Sequence, residues 1–253
     1  MKTKTKEKII QYISENNGAT ASEIVNKMEL QATGIFRHLK SLQKQGIIYK
    51  VGNPPKVGYY LKINMNINSD IIKEVIDWAI NGNEDLVNTD FFCSTRDVFQ
   101  TRLDRTPCLL QKYIGTNLSF SITAVCGEIG NNSYDHNLGS WLDKPGVNFI
   151  TDEVNKIIAL ADRGQGIMKT ISRVRPDIKD HREALKVAFT EIISGRFPER
   201  RGNGLKYVKK TIIENSLFLE FYSGDAQAIV DSNGLSLKKS KINIPGSLAI
   251  IKF

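Results

Sequence analysis

No apolar run in this chain approaches the roughly 20 residues that a bilayer-crossing helix requires. The opening MKTKTKEKII has charge but neither an apolar signal core nor a small-residue cleavage site. The expectation is a soluble, cytoplasmic protein without a membrane partner. Cysteine is scarce as well. Cys93, Cys108 and Cys126 are widely spaced and odd in number, so they frame neither a disulfide scaffold nor a metal-type pair. Buried free thiols in a reducing compartment are the expectation, with Cys126 on the apolar face of a helix. Internal repeats and low-complexity tracts are absent too, which removes solenoids and tandem arrays.

What is present is 253 residues with 41% hydrophobic content, enough for one large domain or two smaller ones. The net charge of +8 is concentrated at one end. Residues 1–63 carry eleven Lys or Arg against four Glu, a net +7. Such asymmetry points to a polyanion partner, duplex DNA foremost, although a solvated basic face gives the same count.

In residues 1–63, KEKIIQYISENNG sets Ile9, Ile10 and Ile13 at helical spacing and stops at Gly18. TASEIVNKM offers Thr20 or Ser22 as cap and Ile24, Val25 and Met28 as an apolar stripe. A third helix over about 31–45 turns Ile35, Leu39 and Leu42 inward and Gln31, Thr33, Arg37, His38, Lys40 and Lys44 outward. Two short β runs then flank a Gly-Asn-Pro-Pro-Lys turn. This pattern resembles a winged helix-turn-helix domain of the kind found in small bacterial repressors. The resemblance implies that the third helix enters the major groove. Thr33, Arg37, His38 and Lys40 would meet bases or phosphates there, with Lys50 and Lys56 on the wing against the backbone. Some winged helices bind only protein, and the +7 charge favours DNA.

Residues 64–84 read as a connector, with a short amphipathic helix from Ser69 to about Gly82 that packs Ile72, Val75, Ile76 and Ala79 inward. From 85 to 253 the pattern changes. A helical region near 96–113 precedes an apolar helix carrying Glu128, Asn132 and His136 in four-residue steps, hence in one column. A polar helix end in solvent, or a face that meets a charged ligand, would each explain that column. A β-hairpin follows, Val147–Thr151 and Val154–Ala161, ending in Asp162-Arg163-Gly164-Gln165-Gly166. Next come an irregular basic segment with Arg173, Arg175, Arg182, Arg196, Arg200 and Arg201, then Arg201-Gly202-Asn203-Gly204-Leu205 opening a helix. LFLEFYS, AQAIVDS and GSLAIIKF supply three closing strands. The expected class is α+β, a mostly antiparallel sheet with helices on one face.

ExxxNxxxH on a helix, a strand ending in DxGxG, an Arg-rich loop, a GxGL helix start and a final GS-strand occur in that order. The series resembles the GHKL, or Bergerat-type, ATP-binding domain of gyrase B subunits, histidine kinases and anti-sigma serine kinases, the last most of all. The resemblance implies ATP and Mg²⁺ as cofactors. Asn132 would hold the metal through its hard carbonyl oxygen. Glu128 would activate water or an attacking hydroxyl. Asp162 would accept from the adenine amino group, selecting ATP over GTP. Gly164 and Gly166 would let backbone pass the base. Arg201, Gly202, Asn203, Gly204 and Leu205 would bring backbone amides and a helix N-terminus to the phosphates. Ser247 would touch the adenine side, and His136 would either bond phosphate or cap structure.

No dimerising helix pair with a phosphorylatable His precedes this region, so histidine autokinase activity is not expected, nor is there room for a transducer domain. The expected function is an ATP-controlled transcription regulator, sensor or slow ATPase. A serine/threonine kinase that uses the winged helix as docking arm is the alternative, and an interaction module with structural ATP a third. A homodimer and a protein partner or substrate are both compatible with the sequence.

Overall fold

The computed structural model describes residues 2–16, 19–28, 30–44, 47–51, 57–61, 69–82, 86–87, 89–192 and 203–253. The chain forms two compact units, Met1–Asn66 with Ser240–Asn243, and Ile67–Lys239 with Ile244–Phe253.

The first unit contains α1 (Lys2–Glu15), β1 (Ala19–Thr20), α2 (Ala21–Met28), α3 (Ala32–Lys44), β2 (Ile48–Val51) and β3 (Gly58–Leu61). The strands form an antiparallel sheet in the order β1-β3-β2. Helical spacing decides the core: Ile9, Ile13, Ile24, Ile35, Leu39 and Leu42 are buried together, and Ile48 and Tyr59 close it from the sheet. Ile10, Val25 and Met28 pack on it half-buried. Of the two caps the sequence offers, Thr20 is used. Its Oγ1 accepts from the Glu23 N–H at 3.3 Å, and Glu23 Oε2 accepts from the Thr20 N–H at 2.7 Å, a capping box. The bond from the Thr20 N–H, then one that the Thr20 hydroxyl donates to Glu23 Oε2 at 2.9 Å, hold the Glu23 carboxyl below the usual carboxylate range.

The second unit runs α4 (Asp70–Asn81), β4 (Phe92–Cys93), α5 (Arg96–Ile114), α6 (Thr116–Asn137), β5 (Val147–Asp152), β6 (Ile157–Asp162), α7 (Gly166–Ile171), α8 (His181–Thr190), α9 (Gly204–Glu214), β7 (Phe218–Asp231) and β8 (Gly234–Lys252). Its five strands stand in the order β4-β5-β6-β8-β7, with every pairing antiparallel. On one face Phe149, Leu160, Ala249 and Phe221 meet Phe99 and Leu103 of α5, Ile122 and Val125 of α6, Phe189 of α8 and Val208 and Ile212 of α9.

Helices on one face only is the first expectation to be corrected. The alternate rung Ile150, Ala159 and Ile250 is buried outside that cluster, as are Ile72, Val75, Trp78, Ala79 and Ile80 of α4. α4 packs on β5 and β6, so it covers the second face and belongs to this unit rather than to a connector. All of β6, IIALAD, is buried. An apolar run without alternation is what a strand covered on both faces requires. The helix itself matches its expected bounds: Ser69 Oγ accepts from the Ile72 N–H at 3.4 Å, and Gly82, with φ 73°, ends it. Trp78 and Ile80 are buried where Ile76 was expected.

Three further differences are local. The hairpin turn lies at 153–156, with Lys156 at φ 55°, so β6 starts three residues later than expected. The segment read as irregular and basic contains α7 and α8, whose Ala184, Leu185, Val187 and Phe189 are buried. The first two closing strands are one strand, β7, kinked by register shifts around Gly224, and β8 begins at Gly234, well before GSLAIIKF.

Gly130 explains a glycine inside α6, where it weakens an isolated helix. A Cβ there would stand 2.1 Å from the Phe99 ring of α5. Gly130→Ala should therefore cost about 1–3 kcal/mol through overpacking, measured by urea denaturation of the full chain. A loss no greater than that of an exposed α6 substitution would show that the two helices tolerate separation.

Candidate functional site

Asp162 ends β6 with 3% of its surface exposed. Its Oδ1 accepts from Asn137 Nδ2 at 3.1 Å and from the Gly164 N–H at 2.8 Å. Its Oδ2 accepts from the Ser133 hydroxyl at 2.8 Å and from the Ser247 hydroxyl. One buried carboxylate thus ties α6, the DRGQG turn and β8 together. A Cβ on Gly246 would lie 2.3 Å from the Asp162 carbonyl oxygen, so only glycine fits before Ser247. Asn137 also accepts from the Gln165 N–H at 2.9 Å and packs directly on Gly164. The Gln165 amide donates to the His136 carbonyl, and its Oε1 accepts from Arg173 at 2.7 Å. Gly166 begins α7 with φ 75°.

One turn back along α6, Glu128 is exposed and Asn132 half-buried. A Cβ on Gly204 would stand 2.8 Å from Glu128 Oε2 and 3.1 Å from Asn132 Nδ2. The first residue of α9 therefore lies against these two side chains. Asn203, exposed, caps α9 without a side-chain bond, which leaves the positive end of the helix dipole beside a carboxylate and an amide. Leu205 is in the core and anchors α9 there. His136 is half-buried on the same column. Arg201 and Gly202 lie outside the described residues, as do Arg196 and Arg200. Arg175 is held by Asp177 at 2.8 Å and by Glu191, and this guanidinium keeps the Asp177 carboxyl at about 2. Burial, then Lys209, lowers the Lys206 ammonium in the first turn of α9. Among the described residues no group of three His, Cys, Asp or Glu side chains could hold a metal.

Sequence reasoning missed Ser133 and Asn137, although small polar residues four apart on an apolar helix were a signal. It also passed over Arg163, 6% exposed, whose Nε donates to Asp143 at 2.6 Å and whose Nη1 donates to the Ala79 and Trp78 carbonyls at 3.0 and 3.3 Å. A cation thereby meets the negative end of α4.

In the first unit, Thr33, Arg37, Lys40 and Lys44 are exposed on α3 and share a face by spacing, and His38 is half-buried. Phe36, 51% exposed, joins that face, an aromatic overlooked in the sequence. Lys50 is exposed on β2, and Lys56 lies outside the described residues.

A family model described as winged helix-turn-helix DNA-binding matches residues 2–49. The N-terminal unit thus carries a winged helix-turn-helix domain, which points to a DNA-binding regulator. No curated protein and no solved structure matches the chain. No described helix is long and apolar enough to cross a membrane.

Proposed function

We propose that this chain is a DNA-binding transcription regulator whose second unit is a GHKL-type domain that binds ATP–Mg²⁺ as a sensor or slow ATPase. The observation that carries the reading is the meeting of Glu128, Asn132 and the start of α9 at Gly204, with Asp162 at the end of the adjoining strand. On this reading the domain takes in α4 as well as residues 85–253, and the winged helix occupies 1–63.

The residues fit the phosphate end of such a ligand. Asn132 offers a hard oxygen, and α9 offers amides and a positive dipole end. With no protein cluster to hold a metal among the described residues, the cation would ride on the triphosphate with Asn132 as its protein ligand. Bound ATP would supply the transferable phosphoryl group. At the base end, Asp162 already accepts four bonds, so an adenine amino group must replace one donor. Asn137 at 3.1 Å makes the longest of the four, and its replacement would let the base rest against Gly164. Glu128 is exposed and would orient a water; the same exposure suits a partner's serine or threonine hydroxyl, the kinase alternative. On α3, Arg37 and Lys40 would contact base edges or phosphate, and Phe36 a thymine methyl.

ATP–Mg²⁺ at about a hundred times its dissociation constant should raise stability by roughly 2.7 kcal/mol, read as a melting shift. Asn132→Ala should remove the magnesium-dependent part of that shift. Glu128→Ala should keep the shift and abolish phosphate release or transfer. A wild-type protein that ATP–Mg²⁺ does not stabilise would refute the nucleotide assignment.

DNA binding should weaken steeply with salt, by a slope of about −0.9 per neutralised phosphate in log K against log salt. Arg37→Ala should relax sequence preference by about 1–3 kcal/mol if it reads a base, whereas Lys44→Ala should weaken all sequences alike. Fluorescence anisotropy with the full chain separates the two outcomes. Absence of DNA binding at low salt would transfer the winged helix to the protein-docking role.

A further inference from the structure

Beside α7, and apart from the Glu128–Asn132–Gly204 cluster, a cavity of about 560 Å³ opens onto the kinked part of β7. Of the residues assigned above to nucleotide, only Gly166 lines it. Three cationic or protonatable side chains line it: Lys169, Arg173 and His181. Lys169 and Arg173 are four residues apart, the second on the turn that continues α7, so they share a face. His181 opens α8 and lies flat on Gly224, where a Cβ would stand 2.3 Å from its ring. Its Nδ1 is 2.8 Å from Asp225 Oδ1. A carboxylate only accepts, so Nδ1 carries the proton and Nε2 is the atom left for a ligand.

We infer that this cavity is a second binding site, for a small organic phosphate monoester. Lys169 forms no ion pair among the described residues, and Arg173 spends one amino group on Gln165. The remaining guanidinium N–H groups and an ammonium, from α7 and the turn after it, and an imidazole nitrogen from α8 line one cavity. A phosphate monoester monoanion matches that set, its charged oxygens accepting from Lys169 and Arg173 and its P–OH donating to Nε2, whereas a carboxylate has no proton to give Nε2. Gln165, Met168, Ser172, Ser223, Gly224 and Pro245 form the rest of the wall with Gly166, and the volume exceeds what an inorganic ion needs, which leaves room for an organic body. Asp225 does not repel the ligand directly, because its Oδ1 is covered by His181 and Lys239 stands 3.9 Å from its Oδ2.

The site also gives α7 a role. Gln165 joins Arg173 to the His136 carbonyl of α6, so a ligand that orders Arg173 is coupled to the turn that holds Asp162.

The test is a titration of the full chain with phenyl phosphate, followed by the imidazole NMR signals, with His181 assigned by comparison with His38→Gln and His136→Gln. The His181 signals should move saturably. Affinity should fall about tenfold in Arg173→Ala and again in Lys169→Ala, the loss expected for one charge-assisted hydrogen bond each. Benzoate should bind at least about tenfold more weakly. Asn132→Ala should leave the titration unchanged. Unmoved His181 signals, equal binding of benzoate, or loss in Asn132→Ala with retention in Arg173→Ala would each overturn the assignment, the last by placing the phosphate at the start of α9.

Discussion

A carboxylate withdrawn from water is tolerable only when its oxygens are saturated by donors, and Asp162 meets that condition with four. The donors come from α6, from the turn after β6 and from β8, so satisfying one charge fixes two elements distant in sequence against the turn that follows it. The turn is then committed: Gly164 supplies its amide, Asn137 fills the space on it, and Gln165 reaches the α6 carbonyl. Gly246 is required because β8 passes so near the same residue. The column of Glu128 and Asn132 inherits its position from this arrangement, since both lie on the helix that Ser133 and Asn137 hold against the sheet. Buried apolar contacts with α9 then bring Gly204 to that column.

The same turn faces both layers of the unit. Asp162 points its bonds toward α6, while the next residue, Arg163, reaches the last carbonyls of α4 on the second face. Adjacent residues on an extended chain point to opposite faces, and here the last residue of β6 and the one after it each tie down a different helix. This is why α4 is a structural layer of the second unit. An element that looks like a spacer between domains closes the face that would otherwise expose Ile150, Ala159 and Ile250.

Much of this was legible where local chemistry decides the outcome. Helical spacing identified the core of the first unit, and Ser69 and Gly82 marked both ends of α4. The spacing of Glu128 and Asn132 and the glycine at 204 marked residues that lie side by side, while Asp162 is tied to Ser133 and Asn137 further along α6. What was not legible depends on contacts distant in sequence. Arginine content drew attention away from the apolar stripe of α8, so its helix was read as loop. Gly224 looked like a strand end because a register shift and a break have the same local composition. The buried donors Ser133 and Asn137 have no meaning until Asp162 is opposite them. The unalternating apolar run of β6 does carry a signal of two-sided burial, but α4, which packs on its second face, reads in sequence as part of a connector.

The most direct test of the account is calorimetric titration of the full chain with ATP–Mg²⁺ and with GTP–Mg²⁺, in the wild type and in Asp162→Asn. The account predicts that the wild type prefers ATP and that the preference collapses in the variant, because an amide presents a donor where the carboxylate only accepts. Equal binding of the two nucleotides by the wild type, or a preference that survives Asp162→Asn, would contradict it.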